Sequence, residues 1–98
     1  MIPYPKPHRW QSAKYRKFVS SQPCIISGQP AEPHHVRLHS NAGTGLKPSD
    51  YWCLPISREL HIKWHTKGTK FMEKEYGFDV YQELFKMTSK WIEEESNA

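Results

Sequence analysis

Histidine is where chemistry is most visible in this chain. Six occur in 98 residues, and four fall in two tight pairs, His34-His35 and His61-x-x-x-His65. On a helix, residues four apart project from one face about one turn apart. His61 and His65 can therefore chelate one metal ion, as HxxxH pairs do for zinc. In an extended segment adjacent side chains point to opposite faces, so only one of His34 and His35 can readily join that site. Its neighbour can approach from another direction as a proton acceptor. Metal-assisted phosphodiester hydrolysis needs those two parts, a cation for the scissile phosphate and a base for the attacking water. Histidine alone titrates, unperturbed, in the neutral range. A metalloprotease is disfavoured, because Ile62 stands where that motif's helix carries its Glu base.

The elements that must hold these residues follow from the flanking sequence. Residues 1–11, with Pro3, Pro5 and Pro7, read as an extended arm. Ser12 caps a short helix to about Ser20, with Tyr15, Phe18 and Val19 on its apolar side, and Gln22-Pro23 stops it. The β-prone run Cys24-Ile25-Ile26, a turn at residues 27–30 and an extended segment over about 32–38 predict a hairpin. Residues 40–49 read as loop, and residues 50–56 bring an apolar stretch back to the core. Ser57 caps a helix running to about Lys67 and ended by Gly68; another over residues 70–76 stops at Gly77. Asp79 caps a last helix in which Val80, Leu84, Met87 and Trp91 form a core stripe, widened by Tyr81, Phe85 and Ile92. The tail Glu93-Glu94-Glu95 sits at the unfavourable end of the helix dipole and is expected to fray.

Length and charge narrow the class. A chain of 98 residues makes one small domain, hiding only about 60–65% of its unfolded surface. No apolar run has the roughly 18–20 residues of a membrane span, and residues 1–7 lack the apolar core of a signal peptide. Cys24 and Cys53 are too few for a disulfide framework, so a reducing cytoplasm is expected. Residues 1–70 carry a balance of +8 and residues 71–98 one of −4. A basic body with aromatics among its cations (Arg9, Trp10, Lys14, Tyr15, Arg16, Lys17) suits nucleic acid.

Together these residues resemble the HNH (ββα-metal) endonucleases, in which a β-hairpin and a helix clasp one divalent ion. Glu32-Pro33-His34-His35 and His61-Ile62-Lys63-Trp64-His65 are similar to the Glu-x-His-His and His-x-x-x-His of colicin-type DNases. Pro23-Cys24 with Gly28, Gly43-Thr44-Gly45, Lys47-Pro48-Ser49-Asp50 and Leu54-Pro55-Ile56 resemble the pattern of small HNH proteins encoded by phages and prophages. The resemblance covers about residues 23–68. It implies an α+β fold: a ββα-metal core with an N-terminal helix and, over residues 69–98, two added C-terminal helices. It also implies roles. His34, His61 and His65 match the metal ligands and His35 the general base. Asp50 falls near the central residue that orients the base, with Asp in place of the family's Asn. Glu32 matches a carboxylate that holds a ligand imidazole in its tautomer. Ser27 and Ser57 replace cysteines that elsewhere hold a structural zinc, so Cys24 and Cys53 are expected to be buried as small apolar residues.

The expected function is hydrolysis of DNA, or RNA, in recombination or processing, in the host cytoplasm if the chain is phage-encoded. Magnesium or manganese is the expected working ion, although three imidazoles also favour zinc or nickel. Arg37, His39, Lys47, Arg58, Lys63 and Lys67 are candidates to grip backbone phosphates, and His8, Arg9 and Trp10 to reach along DNA. No membrane partner is expected, and a homodimer would let a single site cut both strands. The competing readings are a catalytically silent, metal-stabilised nucleic-acid-binding module and a helix-rich interaction protein with no metal dependence.

Overall fold

The computed structural model describes residues 9–38 and 47–97. His39, the expected loop's residues 40–46 and the arm's first eight residues lie outside the described set. The rest is an α+β fold in which four helices pack around a two-stranded antiparallel sheet. None of those helices is long and apolar enough to cross a membrane.

Helix α1 spans Ala13–Ser21. Its cap, Ser12, is extended and its Oγ accepts the Tyr15 N–H at 3.0 Å, satisfying one of the otherwise unpaired amides of the first turn. Tyr15 and Val19, one turn apart, are its fully buried residues.

Strand β1 is Glu32–His35 and its partner β2 is Cys53–Ile56, with His34 opposite Leu54 and His35 opposite Cys53. This corrects the expected hairpin, in which Cys24–Ile26 was to be the first strand. That run instead closes on itself: the Gly28 N–H donates to the Cys24 carbonyl, and the Cys24 N–H to the Gln29 carbonyl, both at 2.9 Å. Gly28 adopts φ +73° to make the turn, a conformation natural to glycine. The run reaches the sheet through one bond, from the Ile25 N–H to the Pro55 carbonyl at 3.1 Å. Residues 53–56 win the pairing because all four are buried and belong at the centre. Pro33 faces Pro55. In an antiparallel ladder every second pair exchanges no hydrogen bonds, and its polar groups point outward. Two residues without an N–H therefore fit that pair, and the outward Pro55 carbonyl is what Ile25 meets.

A single 3₁₀ turn, Asp50–Trp52, leads into β2. Helix α2 follows at Arg58–Lys67, then α3 at Thr69–Tyr76 and α4 at Val80–Ser96. Gly77, at φ +68° and ψ +51°, ends α3 in the left-handed conformation, the usual glycine stop. Asp79 caps α4 by accepting the Gln82 N–H at 2.9 Å. Val80, Leu84 and Met87 of α4 enter the core with Tyr15, Val19, Val36, Leu54, Ile56, Trp64 and Met72.

Two expectations for α4 are corrected. Tyr81, Phe85 and Ile92 do not widen the buried stripe; each is more than half exposed, because the narrow body is filled by one row of side chains. The acidic tail, expected to fray, is helical: α4 continues to Ser96. Trp91 anchors this end against Tyr15 and Trp10, at ring separations of 5.3 and 5.9 Å, and Lys14 of α1 pairs with Glu95 at 2.8 Å.

Leu54 has no exposed surface, whereas Phe85 is 74% exposed. Truncating Leu54 to Ala is therefore expected to lower the unfolding free energy by about 2–5 kcal/mol. Phe85→Ala should change it by no more than about 0.5 kcal/mol. Urea denaturation of the two variants beside the parent chain checks both.

Candidate metal centre

Three imidazoles converge where β1 crosses α2. His34 points inward from the strand, and His61 and His65 stand one turn apart on the helix. One ligand nitrogen from each lies within 4.8 Å of the others. The rings are 4.6 Å (His34 to His61), 5.3 Å (His34 to His65) and 4.8 Å (His61 to His65) apart, centre to centre. Trp64, buried on the same helix, lies 4.6 Å from the His34 ring and fixes it from the apolar side.

His34 is 2% exposed, and neither of its ring nitrogens has a hydrogen-bond partner. A buried polar group left unpaired costs about 1–3 kcal/mol, so this ring calls for something to meet its lone pair. Burial, followed by repulsion from His61, His65 and His35 in their charged forms, pulls the His34 pKa from 6.5 to about 3. The ring is therefore neutral at physiological pH, the form that binds metals. His61 is prepared in another way. Its Nδ1 lies 2.8 Å from Oε1 of Glu32, two residues before His34 on β1. Donation of Nδ1–H to that carboxylate leaves the lone pair on Nε2. The donor set fits a divalent transition ion, borderline-soft and satisfied by imidazole.

Strand alternation turns His35 away from His34. Its Nε2 lies 2.8 Å from Oδ1 of Asp50. Asp50 has no exposed surface, and that burial raises its pKa. The hydrogen bonds from His35, the Ser12 N–H and Arg16, together with the Arg16 charge, outweigh it and leave the pKa below its ordinary value. Asp50 is thus an acceptor, so His35 Nε2 must carry the proton and Nδ1 the lone pair. His35 nevertheless opens on the same cleft as His61 and His65. That cleft, roughly 180 Å³ in volume, is lined by Pro33, His35, Arg37, Lys47, Pro48, His61 and His65.

Arg37 and Lys47, two of the expected phosphate grips, thus stand beside the histidines. Three other expected grips do not. Lys63 and Lys67 follow His61 and His65 by two residues, which on a helix turns them about 200° away. Lys63 donates to the Tyr76 hydroxyl at 2.7 Å, and the Lys67 ammonium sits 5.5 Å from the Phe71 ring of α3. Arg58 lines a different cavity, with Ile26, Ser27, Gln29, Leu60 and Tyr76.

Arg9 and Trp10, the arm residues expected to reach along DNA, pack against the body of the domain. Arg9 donates to the Pro48 carbonyl at 3.2 Å and lies 3.7 Å from Asp50 Oδ1, while Trp10 stacks on Tyr51 and abuts Tyr15 and Trp91. Sequence reading passed over Arg16 except as surface charge. The signal for it was an acid, Asp50, in an apolar stretch, since a buried carboxylate needs a cation. Both cysteines are buried and free, as expected. Cys53 packs beneath Asp50, and burial together with that charge pushes its thiol up to about 12.

The chain belongs to the DUF968 family, described as proteins of unknown function, whose pattern it matches over residues 1–92. It is 42% identical over 74 residues to the uncharacterized protein YdfU of Escherichia coli strain K12, a match covering 74% of this chain and 21% of that protein. The chain thus spans about a fifth of the length of the curated relative it matches. No solved structure matches it.

Two outcomes are expected in solution. Isothermal titration of metal-stripped protein with zinc or nickel should give one tight site, and His34→Ala or His61→Ala should abolish it, since each removes one of three donors. In the metal-free chain, the folded state keeps His34 neutral down to about 3 while the unfolded chain takes up a proton near 6.5. The unfolded state binds the extra proton within that window, so stability is intact above 6.5 and falls as the pH drops toward 3. Urea denaturation at several pH values reads this slope, and His34→Leu should make it shallower by about one proton.

Proposed function

We propose that this chain is a metal-dependent endonuclease of the ββα-metal (HNH) type, hydrolysing phosphodiester bonds of DNA. The observation that carries the reading is the paired arrangement on β1. His34 is buried and unpartnered against His61 and His65, and the next residue, His35, is held by an ionised Asp50 on the same cleft. A purely structural metal site would have no use for the second half.

His34, His61 and His65 would hold one divalent ion, which when bound supplies the Lewis-acid charge that a scissile phosphate and its leaving oxygen require. His35 takes the proton of the attacking water at Nδ1. Asp50 keeps the ring in that tautomer and stabilises the imidazolium that results, the service an aspartate performs for a catalytic histidine generally. Glu32 fixes the His61 ring. Arg37 and Lys47, at the rim of the cleft, hold the phosphates on either side of the reacting one, with an affinity that weakens as salt rises.

The test is cleavage of supercoiled plasmid by metal-stripped protein given back magnesium, manganese, nickel or zinc. Cleavage by the parent chain is expected with at least one ion. His35→Ala should lower the rate by about 10²–10⁴-fold while still binding one equivalent of metal. Metal and DNA binding without cleavage by the parent chain would replace this reading with the silent binding module.

A further inference from the structure

Asp50 is gripped from two directions. Its Oδ2 receives the Ser12 N–H at 2.7 Å and an N–H of the Arg16 guanidinium, both from the start of α1. Its Oδ1 is left to His35 at 2.8 Å, with Arg9 more distant at 3.7 Å. The carboxylate therefore has a braced oxygen and an oxygen turned to the imidazole. Two donors on one oxygen fix the plane of the group, and with no exposed surface Asp50 has no water to swing toward. Helix α1 lies outside the stretch that resembles the HNH pattern, so this brace comes from the chain's own periphery.

We infer that Arg16, acting with the Ser12 amide, is a positioning residue that fixes which face of residue 50 meets His35 and thereby which nitrogen His35 offers to substrate. The kinetic consequence rests on the endonuclease reading, but the tautomer does not. Donors at the brace admit only an acceptor there. An ionised Asp satisfies the brace with Oδ2 and still has Oδ1 to accept the His35 Nε2–H. An Asn has one oxygen. The brace would claim it, the amide NH₂ would face His35, and Nε2 would have to accept, moving the proton to Nδ1. The isosteric change Asp50→Asn should thus invert the tautomer while leaving the ligand histidines untouched.

The experiment is long-range ¹H–¹⁵N NMR of the imidazoles in metal-free protein above neutral pH, paired with steady-state cleavage of an oligonucleotide duplex. The parent chain should show His35 protonated at Nε2, and Asp50→Asn should show it protonated at Nδ1. Arg16→Met should give a mixture of tautomers and a kcat lower by about 10- to 100-fold at unchanged KM and unchanged zinc affinity. Arg16→Lys should restore a single tautomer and most of kcat, because one N–H to Oδ2 is all that the guanidinium supplies.

A pure Nε2–H tautomer in Asp50→Asn overturns the inference, as does an Arg16→Met variant with parental tautomer and kcat, or one that changes KM alone. Should Arg16→Met not fold, Asp50→Asn decides the matter, since it leaves no buried charge without a partner. If the parent chain cleaves nothing, the endonuclease reading falls, and the tautomers still decide this inference.

Discussion

The buried carboxylate of Asp50 is the interaction on which the rest of the structure depends. A charge with no solvent contact is tolerated only when its oxygens are fully engaged. Here that engagement draws on α1 through Ser12 and Arg16, on the preceding segment through Arg9, and on β1 through His35. Nearby, the Asp50 N–H donates to the Trp10 carbonyl, and the Trp10 N–H to the Ser49 hydroxyl, both at 2.9 Å. One residue thus ties together segments that the sequence sets some forty positions apart. It does so directly above Cys53, where β2 begins.

The histidine cluster is the opposite kind of feature. Neither ring nitrogen of His34 has a hydrogen-bond partner, and the neighbouring imidazoles disfavour its charged form. In a small domain with a thin core such an arrangement works against stability, and it is the kind of local cost that functional sites carry. The two features stand on opposite faces of one four-residue strand. Alternation along β1 therefore separates a cluster that wants a cation from a network already holding its own charges. Under the proposed function, the strand divides metal binding from proton transfer.

Much of the positioning was legible in local sequence. Ser12 and Asp79 cap helices, Gly77 ends one, and His61 and His65 share a face, because each depends on residues within four positions. The alternation of His34 and His35 was legible for the same reason. Sequence reading erred where the outcome depended on competition. Cys24–Ile26 is as β-prone as many strands, yet lost its place to residues 53–56, which are buried on both faces. The cations on α2 looked alike by composition, and only the helix rotation and the aromatics of α3 distinguish Lys63 and Lys67 from the rim of the cleft.

The sequence by itself determined where the helices lie, the caps at Ser12 and Asp79, the stop at Gly77, and the two histidine pairs with their facing directions, since these arise from steric and hydrogen-bonding rules acting over a few residues. Ser57, expected to cap α2, makes no side-chain cap bond. Only the tertiary structure decided that Glu32 meets His61 across 29 positions and Arg16 meets Asp50 across 34. Such contacts follow from which apolar surfaces bury one another, and burial is a property of the whole chain. The same burial that makes an unpartnered charge costly selected Arg16, from among several similar surface cations, as the partner of Asp50.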